Sequence, residues 1–226
     1  RTSCTREEAR QRLGVEDGRP VVALVPGSRR AELRYLLPVF LEACRLLPNP
    51  LCLLTVAPSL GEQAIRRLLP ADLDIRLLDG MEYDRLQAAD AALVASGTAT
   101  LELACLDLPM VVAYRGDFFT WVQYRIVARG GRLRYISLPN ILADAHAVPE
   151  RLQEAANPIT LADDLIPLLS DTPARRAQLE AFARIRGLLG ASGACERTAE
   201  IVLEIGGQTM EGEAPVSDQN PTWTAR

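Results

Sequence analysis

The stretch Ala91-Ala92-Leu93-Val94-Ala95-Ser96-Gly97-Thr98-Ala99-Thr100-Leu101-Glu102 decides the fold. It leaves an unbroken apolar run and enters a helical pattern through small, hydrogen-bonding residues. A run with no polar alternation reads as a strand buried on both faces, which is the condition of a parallel sheet covered by helices. Unpaired backbone N–H groups at a helix start attract anions, and Gly97 removes the side chain that would block approach. Glu102, four residues after Thr98, returns to the same helix face. A diphosphate at Ser96, Gly97 and Thr98 with a ribose diol on Glu102 fits this spacing. The competing reading is a plain helix cap followed by a solvated carboxylate.

A second loop has related chemistry. Val21 to Val25 is an apolar strand that ends in Pro26-Gly27-Ser28-Arg29-Arg30-Ala31-Glu32. Gly27 permits a tight turn, and Ser28 and Arg29 offer a hydroxyl and a guanidinium able to clamp a phosphate in bidentate fashion. The loop is neither a Walker loop nor a dinucleotide fingerprint, because no Gly-Lys-Thr and no Gly-x-Gly-x-x-Gly is present. A surface turn with solvated arginines is the simpler alternative.

Outward from these loops, strand and helix alternate. Further strands are expected at Leu51 to Val56, Ile75 to Leu78, Met110 to Tyr114 and around Tyr135 to Ser137. Helices are expected at 33–47, 60–69, 82–89, 98–107 and 118–128. The fold class is therefore α/β, a Rossmann-like doubly wound parallel sheet whose ligands sit at the carboxyl ends of the strands. Thr5-Arg6-Glu7-Glu8 is a capping box that opens a short helix. From residue 149 the pattern is read as helical: Pro149 to Ala155, Leu161 to Leu169, Pro173 to Leu189 and Ser192 to Ile205. Residues 1–205 are expected to form the ligand-binding domain with its C-terminal helices, and 206–226, polar and aperiodic, a disordered tail.

Composition narrows the function. The chain has 226 residues, a net charge of -4 and no lysine, so all 25 of its Lys+Arg positions are arginine. An acidic balance argues against a general nucleic-acid binder, and the lack of lysine excludes a lysine nucleophile. No run of about 18 apolar residues spans a bilayer and no secretory leader is evident. The start at Arg1 is expected of a fragment or a processed chain. Cys4, Cys44, Cys52, Cys105 and Cys195 are read as small core residues in a reducing compartment. With His146 the single histidine and read as a surface residue, no zinc ligand set is expected.

Two more segments carry candidate function. Tyr114 to Arg129 gathers five of the eleven aromatic residues, and Arg125, Arg129, Arg132 and Arg134 lie in or near it; an interfacial segment touching lipid and an ordinary core-facing helix with snorkelling arginines both fit. Asn140, Glu150 and Gln153 stand in a loop-to-helix region after a strand, where an amide contact to a ligand or a plain turn is open.

As an ordered set, PGSRRAE (26–32), LLDGM (77–81), ASGTATLE (95–102), PMVVAYR (109–115), SLPNIL (137–142) and PERLQ (149–153) resembles the lipid-A-disaccharide synthase family over roughly residues 5–205. The similarity is to the C-terminal half of that family, whose members are about twice as long. It implies the C-terminal, donor-binding domain of a GT-B glycosyltransferase. The implied reaction transfers 2,3-diacylglucosamine from its UDP derivative to 2,3-diacylglucosamine 1-phosphate, giving a β-1,6-linked disaccharide phosphate and UDP. No metal or other cofactor is expected.

Residue by residue, the resemblance implies that Gly27, Ser28 and Arg29 meet the diphosphate together with Ser96, Gly97 and Thr98, and that Glu102 meets the ribose. Backbone from Leu78 to Met81 would hold the uracil, and Asn140, Glu150 and Gln153 would line the donor pocket. The implied location is the cytoplasmic side of the inner membrane, peripheral to it. No residue here matches the family's catalytic base, which belongs to the N-terminal half, so the chain is expected to bind UDP weakly and to be inactive alone. A partner N-terminal half or a homo-oligomer is open. The alternatives are another UDP-sugar enzyme of the same architecture, of the UDP-N-acetylglucosamine 2-epimerase or peptidoglycan transferase type, and a non-catalytic UDP-binding module.

Overall fold

The computed structural model describes residues 3–116, 134–190 and 193–210. Six strands form one parallel sheet: β1 (Val21–Val25), β2 (Leu51–Val56), β3 (Asp74–Asp79), β4 (Ala91–Ala95), β5 (Met110–Tyr114) and β6 (Glu150–Leu152). Their spatial order is β3-β2-β1-β4-β5-β6. The chain winds outward from β1 through β2 to β3, then returns to lay β4 on the other side of β1. The reversal opens a crevice at the carboxyl ends of β1 and β4, the switch point where doubly wound folds take their ligands.

The continuous apolar strands follow from burial on both faces. Val22, Leu24, Leu54, Leu93 and Val111 point to one face, beneath α2 (Arg30–Arg45) and α7 (Pro158–Leu165). Val21, Ala23, Leu53, Val94 and Val112 point to the other, where α1 (Arg6–Arg12), α5 (Ala99–Cys105) and α8 (Pro173–Leu189) supply cover. The period-2 geometry of a strand requires this split, and every residue of β1, β2 and β4 is buried. Phe40 of α2 and Phe182 of α8 are fully buried, one on each side.

Two polar anchors complete the frame. Buried Asp90 accepts a hydrogen bond from the Val21 N–H at 2.7 Å and pairs with Arg6 and Arg10, which ties α1 to the sheet. Burial and the neighbouring guanidiniums of Arg175 and Arg10 bring the Arg6 pKa down to about 10. β6 pairs with β5 only from Val112 onward. Beside Met110, the Gln178 amide instead meets that residue's N–H at 2.9 Å and its carbonyl at 3.1 Å, so the buried backbone polar groups are satisfied by a side chain.

Several boundaries differ from the sequence reading. The short capped helix α1 forms as expected, with Thr5 and Glu8 exchanging cap bonds. Pro149 to Ala155 is not a helix: it contains β6 and then a single 3-10 turn, Gln153–Ala155. Tyr135 to Ser137 is bent backbone rather than a strand, and leads into α6 (Leu138–Ala143). Edge pairing decided the first, because a three-residue strand acquires its conformation from the neighbour it bonds to and not from local pattern; the Glu150 carboxylate decided the second by taking the Ile136 and Ser137 N–H groups. Helices α3 (Glu62–Arg66) and α4 (Tyr83–Leu86) are shorter than expected.

The structure divides into two compact units, the first ending at Leu188 and the second beginning at Leu189. The second holds α9 (Ala194–Met210), which runs past the Gly206 boundary at which the sequence reading began a disordered tail. Residues 211–226 and the expected helix at 118–128, with its aromatic and arginine side chains, lie outside the described residues. Cys4, Cys44 and Cys52 are buried as expected, whereas Cys105 is exposed, so it is not a core residue. No helix among the described residues is long and apolar enough to cross a membrane.

Candidate functional site

A cleft of about 460 Å³ sits at the switch point, walled by the β1–α2 loop on one side and the β4–α5 loop on the other. Gly27, Ser28, Arg29, Met81, Ser96, Gly97, Thr98 and Glu102 all line it, together with residues after β2. The two glycine loops, 70 residues apart by number at Gly27 and Gly97, are neighbours only because β1 pairs with β4.

Their electrostatic states differ. In the β1–α2 loop the Glu32 carboxylate folds back on its own helix start. One oxygen accepts from the N–H of Ser28 at 3.1 Å and of Arg29 at 3.2 Å, and the other from the Arg29 guanidinium at 3.0 Å. Gly27, at φ +102°, makes room for this: a Cβ there would overlap the Glu32 carboxylate. Of the two groups that sequence reading offered to a diphosphate, the Arg29 guanidinium is thus already paired with an internal anion, which also takes the backbone N–H groups of the loop. Arg29 itself remains 81% exposed, so its pairing with Glu32 is a weak surface contact that a stronger anion can displace.

The β4–α5 loop is open. Ser96 is fixed at both ends, its N–H on the Ala113 carbonyl at 3.1 Å and its hydroxyl on the Ile136 carbonyl at 2.7 Å. Beyond it, the N–H groups of Gly97, Thr98 and Ala99 have no protein acceptor among the described residues. A Cβ added at Gly97 would meet nothing within 4 Å. One turn on, Glu102 receives the Tyr83 hydroxyl at 2.7 Å. The carboxylate, with burial adding to its effect, pushes the Tyr83 phenol up to about 12.

The remaining expected site residues separate into two groups. Met81 reaches the cleft from a loop shaped by Gly80, at φ +59°, and by Glu82, which takes the Asp79 N–H at 2.6 Å. Leu78 is fully buried in the core, so its side chain offers nothing to a ligand. Asn140 is also fully buried, and its amide exchanges two hydrogen bonds with the Val148 backbone at 3.0 and 2.8 Å. It clamps the end of α6 and the loop that follows it, up to Val148, and does not line the cleft.

Glu150 accepts from the N–H groups of Ile136 and Ser137 and from the Ser137 hydroxyl. It therefore holds the bend on whose carbonyl Ser96 rests, acting behind the open loop. Gln153 has a left-handed backbone, φ +51°, accepts from the Gly116 N–H at 3.4 Å and leaves a buried Nε2 with no acceptor among the described residues.

Sequence reasoning missed Glu32 and Tyr83. Glu32 stands three residues after the N-cap Arg29, the spacing of a capping box, but arginine is not a cap-forming residue and hides the signal. Tyr83 and Glu102 are separated by 19 positions, and no local pattern joins them.

The sheet order and the cleft between two glycine loops define a Rossmann-like domain of the kind found in GT-B glycosyltransferases. The solved structure of WaaG, a glycosyltransferase involved in lipopolysaccharide biosynthesis, matches with a TM-score of 0.51 at 20% identity, over 81% of this chain and 47% of that one. The family described as lipid-A-disaccharide synthetase matches residues 1–205, and this chain belongs to it. The lipid-A-disaccharide synthase of Anaeromyxobacter dehalogenans (strain 2CP-C) is 41% identical over 207 residues, 89% of this chain and 53% of the relative. That of Chromobacterium violaceum is 40% identical over 208 residues, covering 88% of this chain and 53% of the relative. The chain therefore spans about half the length of the curated relatives it matches.

Proposed function

We propose that this chain is the donor-binding half of a lipid-A-disaccharide synthase, holding a UDP-activated, acylated glucosamine for transfer to an acylated glucosamine 1-phosphate. The observation that carries the reading is the cleft itself: open N–H groups at Gly97, Thr98 and Ala99 stand one helical turn from the Glu102 carboxylate, at the switch point of the sheet. A diphosphate at the first and a ribose at the second span that distance. The base lies against the loop carrying Gly80 and Met81.

In the transfer, the acceptor hydroxyl oxygen attacks the anomeric carbon while the bond from that carbon to the β-phosphate oxygen breaks and UDP leaves with the electron pair. This half lowers the cost of the leaving charge. Fixed N–H dipoles of the β4–α5 loop and the Arg29 guanidinium face the diphosphate as its negative charge grows. The acceptor proton needs a base, which this reading assigns to the N-terminal half of the family. The working place is the cytoplasmic face of the inner membrane, where both acylated substrates lie.

Calorimetric titration of UDP into the purified chain tests the reading, with a transferase assay run with and without a separately supplied N-terminal half. Saturable UDP binding without turnover, and turnover on adding the second half, is expected. A folded chain that ignores UDP overturns the nucleotide assignment, and transfer by the chain alone overturns its description as a half.

A further inference from the structure

We infer that Tyr83 is the positioning residue that aims Glu102 at the ribose, and so sets how strongly the cleft distinguishes a ribonucleotide from its 2′-deoxy counterpart. The inference rests on the reading of Glu102 as the ribose contact and extends it to a residue outside the cleft.

Glu102 stands on a boundary. It lines the cleft proposed for the nucleotide, and with Thr98 it also lines an adjoining, mainly apolar recess of about 550 Å³. Tyr83 lines the recess and not the cleft. A glutamate in this place, left to itself, has rotamers toward either space, and a long charged side chain at a half-exposed position samples them freely. The 2.7 Å bond from the hydroxyl of Tyr83, which lines the recess, engages Oε2. No protein donor meets Oε1 among the described residues. A carboxylate has about four acceptor sites, so Oε1 keeps the capacity to take a sugar hydroxyl.

The origin of Tyr83 gives the contact a second consequence. It is the first residue of α4, which follows directly on the Asp79–Glu82 turn that brings Gly80 and Met81 to the cleft. One hydrogen bond therefore joins the loop proposed for the base to the carboxylate proposed for the sugar. The phenol stays protonated well beyond neutral pH, since ionising it beside Glu102 would set two negative charges together. It acts throughout as a donor.

The test compares UDP with 2′-deoxy-UDP by calorimetry on the full chain, as wild type, Tyr83→Phe and Glu102→Gln, with thermal melting of each. Phenylalanine keeps the ring and removes only the donor. The wild type is expected to favour UDP by about tenfold, the worth of one hydrogen bond to a charged acceptor. Tyr83→Phe is expected to bring that preference below about threefold in a chain that still melts as one folded species, weakening UDP more than its deoxy analogue. Equal weakening of both ligands, or a preference that survives the substitution, overturns the role of Tyr83 and leaves the ribose reading of Glu102 standing. A wild type that binds UDP and 2′-deoxy-UDP alike, with Glu102→Gln doing the same, overturns both.

Discussion

The β1–α2 and β4–α5 loops face each other across one cleft, follow equivalent strands and each carry a glycine, yet they stand in opposite states. Glu32 fills the first, meeting the Ser28 and Arg29 N–H groups, while in the second the N–H groups of Gly97, Thr98 and Ala99 meet no acceptor among the described residues. The two glycines differ accordingly. Gly27 has a left-handed backbone and no room for a Cβ, whereas Gly97 has open space around it. The same residue type serves internal structure in one loop and, on the proposed reading, ligand approach in the other. Glycine and polar residues after a strand therefore mark a turn, and only the accounting of its N–H groups says whether an anion site is left over.

The widest expected contrast lies between the two glycines. Gly27→Ala should destabilise the fold by about 1–3 kcal/mol, through backbone strain and collision with Glu32. Gly97→Ala should leave denaturant stability within about 0.5 kcal/mol, the range of substitutions that meet nothing, and weaken UDP binding by crowding the diphosphate. Urea titrations and calorimetry on both variants separate these effects, and equal loss of stability at the two sites would break the comparison.

Glu102→Ala comes next, with a predicted loss of about 1.5–3 kcal/mol in UDP affinity, the range for hydrogen bonds to a charged group. Arg29→Ala should cost less, about 1 kcal/mol, because its guanidinium is largely solvated and tied to Glu32. Finding Arg29 the more costly of the two in calorimetry would place the diphosphate on the first loop. Gln178→Leu provides a control remote from the cleft. It should destabilise by about 1–3 kcal/mol through the orphaned Met110 backbone groups and leave UDP affinity alone.

The smallest effect is alkaline. The folded state holds the Tyr83 phenol near 12 against an ordinary value of 10, so the proton is bound more tightly when folded. The stabilisation it brings is complete below pH 10 and declines as pH rises from 10 through 12. Urea midpoints of wild type and Tyr83→Phe should accordingly converge across that window. A gap that holds steady across it would separate the phenol from Glu102.

Legibility in the sequence followed the range of the interaction. Burial of β1, β2 and β4 on both faces left an unbroken apolar run that can be read residue by residue. The Thr5–Glu8 cap was likewise legible, because its partners are three positions apart. Glu150–Leu152 was read as helix, since its strand conformation comes from pairing with β5. Asn140 looked like a ligand contact because a loop asparagine shows no sign in sequence of the Val148 backbone that occupies its amide.

By itself the sequence determined the alternation of strand and helix, the two glycine loops and the ordered motifs of the lipid-A-disaccharide synthase family. Side-chain period and local caps act over a few residues and need no distant partner. The tertiary structure alone decided the strand order that sets Gly27 opposite Gly97, the filling of one loop by Glu32 and the contact of Tyr83 with Glu102. Each of these depends on which groups meet in space, and that is settled only when the strands have paired in order and the helices have packed on both faces of the sheet.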